Sequence, residues 1–121
     1  MKRILIVEDQ EEIRELIRVT LEYGDYVIDE ATNGVEALSR AAEQRPDLLL
    51  LDVMMPEGMD GLQLCQRVRA DPGLRGCKVV MLTARGLSND RQAGMRAGAD
   101  EYLIKPFSPM ELLSVVNRCL S

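Results

Sequence analysis

The chain has 121 residues, 46% of them hydrophobic and 29% charged, which is one domain's worth of ordinary globular sequence and too little for two. Its net charge of −5 repels nucleic-acid phosphates, so no direct nucleic-acid contact is expected. The longest aliphatic run, Leu48 to Leu51, falls far short of a membrane span, and three widely spaced cysteines (Cys65, Cys77, Cys119) with no histidine offer neither a disulfide framework nor a zinc pattern.

The first apolar run is Ile4-Leu5-Ile6-Val7. It stops at Glu8-Asp9 with no small-residue cleavage site, so it predicts a strand and not a signal peptide; a reducing cytoplasm is the expected compartment. Ile13, Leu16, Ile17, Thr20 and Leu21 then recur at helical spacing, with Gly24 as the expected C-cap. Tyr26-Val27-Ile28 predicts a second strand. A helix from Val35 to Gln44 must end before Pro46, whose ring disfavours helix in the preceding residue. Leu48 to Leu51 runs into Asp52. After Asp60-Gly61 a third helix carries Leu62, Leu64, Cys65 and Val68, ending near Asp71-Pro72-Gly73. Val79-Val80-Met81-Leu82 leads into Thr83. A weaker helix spans Ser88 to Ala97, with Gly94 inside it and Gly98 at its end. Tyr102-Leu103-Ile104 leads into Lys105, and Ser108-Pro109, an N-cap and N1 pair, opens a last helix with Met110, Leu113, Val116, Asn117 and Leu120.

Strand and helix alternating five times predict an α/β fold, with a parallel sheet covered on both faces. Unbroken apolar runs suit strands buried on both sides. The expected arrangement is the flavodoxin-like doubly wound (βα)5 fold, strand order 2-1-3-4-5, as a single domain over residues 1–121, with no output domain in this chain. Such sheets bind ligands outside the carboxyl ends of their strands. There the sequence places Glu8 and Asp9, Asp52, Thr83 and Lys105.

Clustered carboxylates repel one another and raise each other's pKa unless a cation is present. Oxygen donors without His or Cys select a hard cation, Mg²⁺ before Zn²⁺, and Mg²⁺ commonly takes one or two carboxylates with a phosphate oxygen. Lys105 then balances charge, and the Thr83 hydroxyl can donate. Taken singly, Glu8-Asp9 and Asp52 read as caps or turns, Thr83 as a turn hydroxyl and Lys105 as a solvated lysine. Four strand ends supplying carboxylates, a hydroxyl and an ammonium in one chain order exceed what capping needs.

The chain resembles the receiver domain of two-component response regulators over essentially its whole length. The resemblance rests on Ile4 to Asp9, Leu51-Asp52-Val53-Met54-Met55-Pro56, Met59-Asp60-Gly61, Leu82-Thr83-Ala84 and Gly98 to Phe107. It implies that Asp52 accepts a phosphoryl group from a histidine kinase or phosphotransfer protein. It implies Mg²⁺ bound by Asp9, Asp52 and the Met54 main-chain carbonyl, with Glu8 acting through water, and Thr83 and Lys105 contacting the phosphoryl group. Thr83, Ala84, Tyr102 and a cis Lys105–Pro106 peptide would form the switch. The face made by the fourth helix, fifth strand and fifth helix would then address an output protein or domain, as a monomer or a phosphorylation-dependent dimer. Such a protein is a signalling phosphoacceptor, not an enzyme with an external substrate. Two departures stand out: Pro56-Glu57-Gly58-Met59-Asp60-Gly61 is one residue longer than the usual stretch, and Val115 stands where the winged-helix subfamily usually has a basic residue. Met54 and Arg85, at the rim, are expected to slow hydrolysis of the acyl phosphate.

Other readings fit less well. A phosphatase resembling the haloacid-dehalogenase type needs an Asp two residues after the nucleophile, where this chain has Met54. A flavin module needs an amide- and hydroxyl-rich loop after the first strand, and Glu8-Asp9-Gln10-Glu11-Glu12 would repel a phosphate. A receiver-like binding module without phosphorylation would have lost Asp52, Lys105 or an acidic partner, and none is missing.

Overall fold

A computed structural model describes residues 1–55, 58–84 and 88–121. Five strands, β1 (Lys2–Val7), β2 (Tyr26–Ala31), β3 (Leu48–Asp52), β4 (Lys78–Thr83) and β5 (Glu101–Ile104), alternate with α1 (Glu11–Leu21), α2 (Gly34–Gln44), α3 (Gly61–Ala70), α4 (Ser88–Ala97) and α5 (Pro109–Leu120). All strand pairs are parallel and the order is β2-β1-β3-β4-β5, as predicted.

The alternation of β-strand side chains divides the core in two. Leu5, Val7, Leu49, Leu51, Val79 and Met81 face one way, towards Ala37 and Ala41 of α2, Leu64, Cys65 and Val68 of α3, and Ala97 of α4. Ile4, Ile6, Leu48, Leu50, Val80 and Leu82 face the other, towards Ile17 and Leu21 of α1 and Leu112, Val115 and Val116 of α5. β3 is buried along its whole length, which is why four consecutive leucines can form it.

Several local expectations shift. β2 extends through Asp29-Glu30-Ala31 because an edge strand with one neighbour tolerates outward charges. Leu16 is half exposed, while Thr20, its hydroxyl returned to the Leu16 carbonyl at 2.8 Å, is buried. α5 buries Leu112 and Val115 where the predicted stripe had Met110, which is 77% exposed. Gly24 is not a left-handed C-cap: α1 ends at Leu21 with Glu22 in right-handed geometry. Gly24 instead lies under Tyr26, whose ring a Cβ would meet at 2.5 Å. α2 does end before Pro46, on Arg45 in the left-handed region.

The lengthened stretch after Asp52 does not disturb the start of α3. Asp60 caps it, accepting from the Gln63 N–H at 2.8 Å, and the Gln63 side chain returns to the Asp60 N–H at 3.0 Å. Pro56 and Glu57 lie outside the described residues, and Gly58 has φ 75°. Gly61, the first residue of α3, donates to the Val53 carbonyl at 3.1 Å. A Cβ there would collide with the Asp52 carbonyl oxygen and lie 2.8 Å from Val53 Cα. Both obstacles are main chain at the end of β3, so neither can rotate away. Gly61→Ala is therefore expected to lower the unfolding free energy by about 2 kcal/mol in urea titrations, and a wild-type midpoint would refute this close approach.

Candidate active site

β1 and β3 are neighbours, with Val7 opposite Leu51. The residues that follow, Glu8 and Asp52, thereby emerge side by side. Glu8, Asp9 and Asp52 each offer a carboxylate oxygen within 4.8 Å of the others. Glu8 and Asp52 are buried, at 0% and 5% exposure, and Asp9 is the most open of the three.

Lys105, one residue past β5, reaches across the end of the sheet. Its ammonium lies 2.7 Å from Glu8 Oε1 and 3.2 Å from Asp52 Oδ2. Its backbone N–H donates to the Thr83 carbonyl at 2.6 Å, and the Lys105–Pro106 peptide is cis, as expected. Thr83 ends β4 and is buried. The Met54 N–H donates to Asp52 Oδ1 at 3.1 Å, while the Met54 side chain is 73% exposed. Four of the predicted groups thus converge directly: Glu8, Asp9, Asp52 and Lys105. Thr83 stands at the adjoining strand end. Ala84 and Pro106 are exposed, and Tyr102, opposite Met81 in register, is partly buried against the α2–α3–α4 side of the core. Arg85 lies outside the described residues.

Glu8 is fixed on every side. Its N–H donates to the Ala31 carbonyl at 3.1 Å, its Oε2 accepts from the Gln10 N–H at 3.2 Å, and its carbonyl accepts from Arg14 Nη1 at 2.8 Å. Arg14 was not legible as a site residue; its only trace in the sequence is a cation on α1 facing an acidic β2. The donor set is all oxygen and anionic, and this fits a hard divalent cation such as Mg²⁺. Burial raises all three thiols above the usual cysteine value, Cys77 to about 12.

Burial also pushes the Glu8 carboxyl up to about 7; the Lys105 hydrogen bond opposes the rise and the Asp52 charge adds to it. Burial works against the Lys105 ammonium too, but the Glu8 and Asp52 carboxylates outweigh it and raise its pKa. Because Glu8 holds its proton more tightly folded than unfolded, the folded state binds more protons between 4.5 and about 7. Its contribution to stability therefore falls as pH rises through that window. Glutamine carries no charge at any pH. In EDTA, E8Q is expected to gain on the wild type by about 1–2 kcal/mol between about pH 5 and pH 8 in urea unfolding. A difference that stays flat across that range would contradict the raised carboxyl.

Known proteins show the same frame. The family model described as the response regulator receiver domain matches residues 4–117. The transcriptional regulatory protein ResD of Bacillus subtilis (strain 168) is 44% identical over 118 residues, which cover 98% of this chain and 48% of ResD. The chain spans about half the length of the curated relatives it matches. A putative response regulator from Chloroflexus aurantiacus J-10-fl superposes with a TM-score of 0.94 at 39% identity, covering 98% of this chain and 97% of that one. The receiver domain of the sensor histidine kinase PA1611 from Pseudomonas aeruginosa PAO1, described with a magnesium ion coordinated in its active site cleft, gives a TM-score of 0.89 at 32% identity, over 99% and 98% of the two chains. No helix among the described residues is long and apolar enough to cross a membrane.

Proposed function

This chain belongs to the response regulator receiver domain family of two-component signalling, and we propose that within it Asp52 is the phosphoacceptor. The observation that carries this reading is the Lys105 ammonium shared between Glu8 and Asp52 at the end of the sheet. An Asp52 carboxylate oxygen attacks the phosphorus of a phosphohistidine on a kinase or phosphotransfer protein. The new P–O bond forms as the P–N bond to the donor imidazole breaks, and the freed imidazole nitrogen later takes a proton from solvent. Asp9, Asp52 and the Met54 main-chain carbonyl would hold Mg²⁺, with Glu8 behind them through water. The ion supplies the positive charge that lets an anionic phosphoryl group approach an anionic pocket.

The chain's own groups do the positioning. The Met54 N–H holds Asp52 Oδ1, which orients the carboxylate. Lys105 already touches Asp52 Oδ2, so its ammonium can follow the negative charge as it passes to the phosphoryl oxygens. The Thr83 hydroxyl, at the end of the adjoining strand, donates to a phosphoryl oxygen. Its backbone is tied to Lys105 by the 2.6 Å bond, so the two respond together. Movement there alters the packing beside Tyr102, and the output surface is α4, β5 and α5.

With Mg²⁺, acetyl phosphate is expected to add one phosphoryl group to the wild type by intact mass, and none to Asp52→Asn or to the wild type in EDTA. Labelling that persists in both controls would move the site elsewhere. Tyr102→Ala is expected to take up label near the wild-type level while binding of the phosphorylation-dependent partner weakens about tenfold or more. Full partner binding by this variant would place the output surface on another face.

A further inference from the structure

Asp9 is the most open of the three acidic groups. Its position is set by the peptide that links it to Glu8. The carbonyl of that peptide accepts from Arg14 Nη1 at 2.8 Å. Arg14 sits on the first turns of α1, 16% exposed at its side chain, and its Nε donates to Glu30 Oε1 on β2 at 3.0 Å. One planar guanidinium therefore spans two elements, gripping the β1–α1 turn with one nitrogen and the edge strand with another. Arg18 holds the second Glu30 oxygen at 3.5 Å, so the brace is itself braced.

We propose that Arg14 is a positioning residue for the acidic site: by fixing the Glu8–Asp9 peptide against β2, it sets the affinity for the divalent cation. The inference rests on the phosphoacceptor reading and deepens it.

The sign of the effect separates this role from a purely electrostatic one. A cation near the acidic cluster opposes the binding of a second cation. If Arg14 acted by charge, deleting it would tighten Mg²⁺ binding. Glu30 at 3.0 Å neutralises much of that charge, which leaves the geometric role to dominate, and deletion then weakens binding. Groups that orient metal ligands without touching the metal commonly matter tenfold to a hundredfold in affinity. Lysine cannot replace the fork, because one ammonium does not present two fixed, diverging N–H donors.

The test is calorimetric titration of the whole chain with MgCl₂, without phosphodonor. Arg14→Ala is expected to bind about tenfold more weakly than the wild type, Arg14→Lys in between, and Arg3→Ala as the wild type does. Arg3 pairs with Asp29 at 3.6 Å and so joins the same two strands at their opposite end. At saturating Mg²⁺, the extent of acetyl phosphate labelling of Arg14→Ala returns to the wild-type level. Should Arg14→Ala fail to fold by circular dichroism, Glu30→Gln keeps the guanidinium but loosens its anchor, and about threefold weaker binding is expected. Unchanged or tighter binding by the folded Arg14 variant, or by Glu30→Gln in its place, overturns the positioning role alone. A wild type that binds no Mg²⁺, or an Asp52→Asn that binds like it, overturns the phosphoacceptor reading instead.

Discussion

Everything at the carboxyl edge of the sheet answers one electrostatic problem. Two carboxylates, Glu8 and Asp52, are buried next to each other because β1 and β3 are neighbours in the sheet. Like charges so placed cannot both stay ionised without a counter-charge. Lys105 supplies one, bonded to both, but a single ammonium leaves the cluster of three acids in excess. Burial, with the Asp52 charge adding to it, raises the Glu8 carboxyl to about 7. In the proposed reading a divalent cation would offset the excess of acids, so that a phosphoryl group would not meet bare negative charge.

The fold serves this edge by economy of topology. Parallel strands deliver Glu8, Asp52, Thr83 and Lys105 from four separate chain segments to one end, each just after an apolar run. α3 begins hard against the last residue of β3, and only a glycine at 61 permits that approach. Lys105 is aimed by main-chain means, through its N–H on the Thr83 carbonyl.

Much of this was legible in the sequence, for a physical reason. Buried parallel strands must be unbroken and apolar, so Ile4–Val7, Leu48–Leu51 and Val79–Leu82 announce themselves, and the chemistry follows at their ends. What was hidden lies where burial is partial. β2 continues through Asp29 and Glu30 because its outer edge meets solvent, and two adjacent acids after an apolar run look like loop. The inward face of α5 turns on Leu112 and Val115 rather than Met110, a rotation that apolar spacing alone does not settle when so many positions are apolar. Arg14 was invisible because its role depends on Glu30, sixteen residues away on another element. Side chains that work by bracing a main-chain carbonyl leave no motif.

The site's two flanks differ in how many buried side chains hold them, among the described residues. On the β1 side, the Glu8 backbone and carboxylate groups are all bonded, and α1 is pinned to the sheet by Ile17 and Leu21, both fully buried. On the other side β4 is itself buried, but α4 and β5 contribute few large buried side chains among the described residues. The buried residues of α4, among those described, are Gly94 and Ala97, which bring few atoms into contact. β5 has four residues, and of these only Leu103 is buried. Counting only the described residues, shifting α4 and β5 would sacrifice less dispersion energy than shifting α1. In the proposed reading, charge added to Asp52 would act on Thr83 and Lys105, which are tied to each other through the main chain. Unequal packing on the two sides of one carboxylate would then favour the α4–β5 flank as the one that yields.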